Sequence, residues 1–397
     1  MYPPVQKLID RHNSMNSYTR QNINKKLFDL HESKKLVSKR SAEEIEEIST
    51  SVKEMVTQIT SEFKTYGDNE FYDVKCIHSV GSMAEGTRIG NPKEFDFIVE
   101  LKKFSTTNMA KALEIIPIDT IEECATPFGV HHPFQHAHIK VIDTKMKETF
   151  KDYILKDEYL NKTLFSPTTR QAVLEYAIGN LGKNILSKNY GTLEITDIPP
   201  GKNGPAGSFV LLWKSKDEKL FITIDTVMAI AVSQEMLKDK ESIVNDCFKH
   251  LKNESCFLLP AGSFQNNRCF KYAFTLTEVE RMKSLSDYHK ICYRLMKDFV
   301  GRDGSVSRAF PSYVLKTVVL RHSEKCEEKN DFFSCIVDII TEMSKTCSHG
   351  DFVHLAEHTL FLKQNFVSEA PCDREIYPGL LDDLITLQIL EELFPNK

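Results

Sequence analysis

The chain has 397 residues, a length that fits two or three domains, and its 41% apolar and 27% charged side chains exclude general disorder. Acidic residues outnumber basic ones, 56 to 51, so a formal charge of −5 excludes a protein that coats nucleic acid by overall positive charge. Ten scattered cysteines with no C-x-x-C pair, and a longest clear apolar run of six residues (Val227–Val232), lead us to expect a cytoplasmic protein with reduced thiols and no secretory signal or membrane span.

In chain order, residues 24–40 carry Lys25, Lys26, Lys34, Lys35, Lys39 and Arg40 against Asp29 and Glu32, a local net of +4. This is either a solvated helix face or a docking strip for a polyanion, with Lys34, Lys35, Lys39 and Arg40 as the candidate contacts. From Ile45 the apolar positions Ile48, Val52, Met55, Val56, Ile59 and Phe63 recur every three or four residues and predict a helix of about 25 residues. Ser41 followed by Glu43, Glu44, Glu46 and Glu47 predicts its capped, acidic first turn.

The texture then changes to strands. Tyr72–Val80 runs into Gly81-Ser82, and Glu94–Leu101 alternates strictly, with Phe95, Phe97, Val99 and Leu101 on one face and Glu94, Asp96, Ile98 and Glu100 on the other. Phe209–Trp213 and Leu220–Thr226 predict further strands. Beyond about residue 245 the periodicity is mostly helical: Glu278–Met282, Tyr288–Val300, Ser312–Leu320, Phe332–Met343, Leu355–Leu362 and Gly379–Leu393. The residues alone therefore give an α/β amino-terminal half with a leading helix, then a helical carboxy-terminal half, divided as 1–245 and 246–397.

Chemistry concentrates in Gly81–Arg88 and Glu94-Phe95-Asp96. Gly-Ser after a strand exposes backbone N–H groups and a hydroxyl to a phosphate. Glu94 and Asp96, two apart on a strand, point the same way and offer the hard oxygens that Mg²⁺ takes. Asp225, the lone acid of Phe221–Val227, is the candidate third ligand, because a charge in an otherwise apolar and threonine-containing strand needs a partner or a metal. Alone, a Glu-x-Asp pair is also what an exposed polar strand face looks like. His136 and His138, in the cluster from His131 to His138, share a strand face but have no cysteine or carboxylate at ligand spacing, which favours a structural or surface role.

Further blocks follow in a fixed order: Asn203-Gly204-Pro205-Ala206 before Ile224-Asp225, Phe270–Thr275 leading to Glu278, Leu295-Met296-Lys297, and Ser312-Tyr313-Val314-Leu315-Lys316-Thr317. From about residue 40 to residue 325 this order resembles the cyclic GMP-AMP synthase-like receptors, a branch of the nucleotidyltransferase superfamily. The resemblance implies an α+β, bilobal nucleotidyltransferase fold: a leading spine helix, a mixed β-sheet catalytic lobe and a helical carboxy-terminal lobe. It implies Glu94, Asp96 and Asp225 as catalytic ligands of two Mg²⁺ (or Mn²⁺) ions. Gly81, Ser82, Lys297 and Ser312 would grip the triphosphate, Tyr313 would stack on a base, and Lys271, Thr275 and Glu278 would lie at the base-reading segment.

The activity implied is nucleic-acid-activated synthesis of a cyclic dinucleotide messenger in innate immunity, cyclic GMP-AMP from ATP and GTP, with a homodimer on nucleic acid as a further state. The alternatives are a silent family member that binds or scaffolds, and a transferase making linear oligonucleotides. Two departures shape the expectation. Where the vertebrate synthase carries a His-and-Cys zinc module, the interval Ser284–Cys292 offers only His289 and Cys292, so no zinc is expected and double-stranded RNA replaces DNA as the expected activator. Lys271 and Ala273 stand where the synthase has Arg and Ser, which leaves base choice and linkage open.

Overall fold

Two short helices begin the chain, α1 (Pro3–Ser14) and α2 (Ser17–Ser33), followed by α3 (Ala42–Ser61). Then come β1 (Val74–Val80), α4 (Gly81–Glu85), β2 (Glu94–Leu101), β3 (Leu113–Pro117), β4 (His136–Val141), α5 (Thr144–Thr149), α6 (Pro167–Leu181), β5 (Ile185–Ser187), β6 (Thr192–Ile195), β7 (Gly207–Lys214) and β8 (Lys219–Ser233). β9 (Ser255–Pro260), β10 (Phe270–Ala273), α7 (Thr275–Ser284), α8 (Asp287–Gly301), α9 (Ser312–Ser323) and α10 (Phe332–Ser348) complete the order. This computed structural model describes residues 3–33, 36, 38–67, 70–105, 112–118, 136–182, 184–197, 206–216, 218–233, 255–260, 268–301, 312–327, 331–348 and 389. The predicted helices at 355–362 and 379–393 lie almost wholly outside them.

The fold is α+β. Among the described residues ten strands form one sheet in the order β3-β4-β10-β9-β8-β7-β6-β5, with β2 also on β8 and β1 on β2. Of the pairings among them, β2 on β8 is parallel and the others are antiparallel. β8 is long enough, at 15 residues, to serve two neighbourhoods: its first half pairs with β7 and β2, its last residues with β9.

The chain divides into two compact units, residues 40–85 with 92–279, and residues 1–39 with 86–91 and 280–397. A division at 245/246 instead falls within the sheet's unit, because β9 and β10 continue that sheet. Both are short runs that carry no helical or strand period strong enough to read, so they were not anticipated in a region whose periodicity is mostly helical.

In the sheet's unit, α3 buries the predicted stripe completely: Ile48, Val52, Met55, Val56 and Ile59 are inaccessible to solvent. Ser41 is its N-cap, with an extended backbone and an Oγ that accepts from the Glu44 N–H. Glu44 Oε1 in turn accepts from the indole N–H of buried Trp213 on β7 at 3.3 Å. On β2 the alternation holds only at first. Glu94 is exposed and Asp96 half-buried, but Ile98 and Glu100 are buried as well as their neighbours, since the strand's second half is covered on both faces.

The other unit is a helix cluster of α1, α2, α8, α9 and α10 around Leu27, Met296, Phe299, Val318, Phe333 and Ile336. Asp331 fastens its entry into α10. One carboxylate oxygen accepts from the Ser334 N–H and from Asn24 Nδ2 on α2, at 3.0 and 3.1 Å. Among the described residues no helix is long and apolar enough to cross a membrane. Ser41→Ala removes the α3 cap and is expected to cost about 1 kcal/mol, read as a lower urea midpoint with the slope unchanged.

Candidate active site

A single row of residues crosses four strands. Val80, the last residue of β1, pairs with Asp96 on β2; Asp96 pairs in parallel register with Asp225 on β8; and Asp225 pairs with Ser208 on β7. Residues paired in register on adjacent strands project from the same face, about 5 Å apart. The fold thus brings together carboxylates that are 129 positions apart in the chain, 225 against 96. Glu94, two residues before Asp96, joins them on that face, and one oxygen from each of the three lies within 4.8 Å of the others.

The approach of the chain to this row explains Gly81. Its φ is +69°, a conformation that L side chains rarely adopt, and a Cβ placed on it would stand 1.9 Å from Asp96 Oδ2. Glycine at this point allows β1 to turn directly over the Asp96 carboxylate into α4, leaving half-buried Ser82 at the same corner.

Ser208 was not legible in the sequence. It is buried, and its hydroxyl donates to Asp225 Oδ1 at 2.5 Å. Its own N–H donates to Gln171 Oε1 on α6 at 3.2 Å, so the hydroxyl is held by two elements. Only the β7–β8 register identifies it, and no local motif surrounds it. Burial pushes the Asp225 carboxyl above the ordinary aspartate range, and the Ser208 hydrogen bond partly opposes that rise.

Three carboxylates this close repel one another unless a cation lies among them. Their oxygens are the hard donors that Mg²⁺ and Mn²⁺ accept, and the missing Cβ at Gly81 leaves Asp96 room at its loop side. The donor set therefore fits divalent cations, with Glu94, Asp96 and Asp225 as the holders.

The remaining predicted site residues are distributed as follows. Lys271 lies on β10 opposite His136 and Leu259 and is buried, as is Glu278 on α7, while Thr275 opens α7 and is half-buried. Lys297 is half-buried on α8, and Ser312 and Tyr313 begin α9; these three belong to the helical unit. The side chains of Ser312 and Tyr313, and most of the Asn203-Gly204-Pro205-Ala206 turn, lie outside the described residues. So do Lys34 and Lys35 of the basic strip, and His131 and His132. His136 and His138 are buried on β4, with the His138 ring edge-on to Tyr159 at 5.4 Å, a core placement that agrees with a structural role.

One expectation is corrected. Arg40 is not an open cation: its side chain is 5% exposed and paired with Glu44 and, at 2.9 Å, Glu218, so it braces the start of α3. The expectation of no zinc was read from the short interval Ser284–Cys292; the fold also gathers His289 with His322, Cys326 and Cys335, from well beyond that interval.

No protein-family model matches the chain, and no curated protein matches it. Among solved structures it is similar to the CdnE cyclic dinucleotide synthase of Elizabethkingia meningoseptica, solved with GTP and Apcpp. That likeness has a TM-score of 0.41 and 11% identity, covering 86% of this chain and 92% of that one. It is also similar to a STING-associated CdnE c-di-GMP synthase from Flavobacteriaceae sp., with a TM-score of 0.40 and 9% identity over 87% and 82% of the two chains. At such scores neither likeness decides the activity.

The raised Asp225 carboxyl has a sign that can be tested. Its proton is held more tightly in the folded chain than in the unfolded one. Without a bound cation, its contribution to stability therefore declines as pH climbs from the ordinary aspartate range through the folded value, then levels off. Asp225→Asn, which can still accept from Ser208, is expected to raise the thermal midpoint in Mg²⁺- and Mn²⁺-free buffer. The gain over the parent should widen with pH across that window.

Proposed function

We propose that this chain is a divalent-cation-dependent nucleotidyltransferase that joins ATP and GTP into cyclic GMP-AMP. The observation that carries the reading is the convergence of Asp225 with Glu94 and Asp96 beside the Gly81 turn. Bound Mg²⁺ or Mn²⁺ supplies charge neutralisation at the reacting phosphate and makes a hydroxyl easier to deprotonate.

The chain's own residues supply placement. Glu94, Asp96 and Asp225 would hold the cations from one face of the sheet, and Ser208 fixes the orientation of the Asp225 carboxylate. Ser82 and the Gly81 backbone offer a hydroxyl and an N–H to the triphosphate. Lys297, Ser312 and Tyr313 are assigned to triphosphate and base, and Lys271, Thr275 and Glu278 to base choice.

In each half of the reaction a ribose hydroxyl oxygen bonds to the α-phosphorus of the other nucleotide. The α–β phosphoanhydride bond breaks, pyrophosphate leaves, and the hydroxyl proton passes to solvent. Two such transfers close the ring and release two pyrophosphates.

The activator we assign is double-stranded RNA, bound by shape and phosphate charge through a strip containing Lys34, Lys35 and Lys39. Lys39 is exposed, as are Lys25 and Lys26 on α2.

The test is incubation of the purified full chain with all four nucleoside triphosphates and Mg²⁺ or Mn²⁺, with double-stranded RNA, DNA or neither, and identification of products by mass. Cyclic GMP-AMP with RNA stimulation is expected, along with a loss on the order of 100-fold or more in Asp96→Asn. Linear products would replace cyclisation by oligomer synthesis, and no product with any nucleic acid would favour a binding or scaffolding protein. Charge reversal of Lys34, Lys35 and Lys39 to Glu is expected to abolish RNA stimulation while leaving the unstimulated rate. Stimulation by RNA should also fall steeply with salt.

A further inference from the structure

His289 lies in the first turn of α8, His322 in the last turn of α9, Cys326 just beyond α9, and Cys335 in the first turn of α10. One donor atom from each lies within 4.8 Å of the other three. We propose that these four residues form a structural zinc site that staples α8, α9 and α10 of the helical unit.

The donor set has the composition of structural zinc, two thiols and two imidazoles. The Cys326 and Cys335 sulfurs are 3.5 Å apart, much too far for a disulfide and near the edge of about 3.8 Å that a tetrahedron with Zn–S bonds of about 2.3 Å requires. As no pair exceeds 4.8 Å, a contraction of no more than about 1.5 Å brings the other edges to the roughly 3.3 to 3.8 Å of such a tetrahedron.

The local chain is arranged for such ligation. The Cys326 N–H donates to the His322 carbonyl at 3.0 Å, so a helical turn puts these two side chains on one side of the chain. The Ser286 hydroxyl lies 3.0 Å from His289 Nδ1, which fixes the ring and turns Nε2 towards the cluster. A metal-bound imidazole commonly has this support at its other nitrogen. The Cys292 thiol, fully buried, hydrogen-bonds to Cys335. At the centre, the imidazoles of His289 and His322 both reach the Cys335 thiol, so the donors already face one another.

Charge also balances. Two thiolates and Zn²⁺ sum to zero, so a filled site can sit beside Phe333 and Leu320 without a further counterion. The carboxylate row on the sheet has the opposite preference, with three hard anionic donors and no sulfur, so the two sites select different ions.

The site is tested on the full chain, expressed with added zinc and purified without chelator. Elemental analysis is expected to find about one zinc per chain, retained in the Glu94→Gln/Asp96→Asn/Asp225→Asn variant and lost in Cys326→Ser/Cys335→Ser. Should the cysteine variant fail to fold, the wild-type protein answers alone. Replacing zinc by Co²⁺ should give sulfur-to-cobalt charge transfer and the ligand-field bands of a tetrahedral centre, and thiol-blocking mercurial should release the zinc stoichiometrically. Wild-type protein without zinc after supplementation would overturn the proposal. So would zinc unaffected by the cysteine substitutions, or a mass two hydrogens short that maps to a Cys326–Cys335 disulfide.

Discussion

Asp96 and Asp225 stand side by side because β2 and β8 pair in parallel, and most of what surrounds them follows from that register. A one-residue slip would send either carboxylate to the opposite face of the sheet. The register is held from both sides: β1 pairs with β2 as far as Asp96, and β7 pairs with β8 through Ser208. Beneath the sheet, α3 packs an unbroken apolar stripe and ties to β7 through Glu44 and Trp213. Burial of a carboxylate opposes folding, and the raised Asp225 carboxyl records this. A cation placed among the three carboxylates would offset that cost, a trade of stability for binding common at functional sites.

Gly81 and Ser208 show two kinds of support for such a row. Gly81 acts by absence, since its missing Cβ permits the strand-to-helix turn to pass over Asp96. Ser208 acts by contact, and its hydroxyl restricts the Asp225 carboxylate to one orientation while α6 restricts Ser208. Both lie in regular structure, which positions groups more exactly than a loop does.

Much of this was readable from residue order. The bounds of β2 coincide with its alternation, the α3 stripe and its Ser41 cap are where periodicity puts them, and Asp225 stood out as one acid in an apolar strand. Ser208 was invisible because its role exists only across a strand pair. β9 and β10 were missed because runs of six and four residues are too short to distinguish periods of 2 and 3.6. Arg40 looked like a free cation in a basic run, but its partner Glu218 is 178 residues away. The four zinc-type donors escaped for a similar reason: the interval from His289 to His322 matches no compact ligand motif, and only the packing of three helices closes it.

The central claim is that Glu94, Asp96 and Asp225 together hold divalent cations. Its most direct test is titration of the full chain with Mn²⁺ in the presence of a non-hydrolysable ATP analogue, with free Mn²⁺ followed by electron paramagnetic resonance. The account predicts saturable loss of the free-ion signal for the parent chain, and weakening on the order of 100-fold in both Asp96→Asn and Asp225→Asn. Equal Mn²⁺ binding by parent and variants, with the folds intact by circular dichroism, would contradict it.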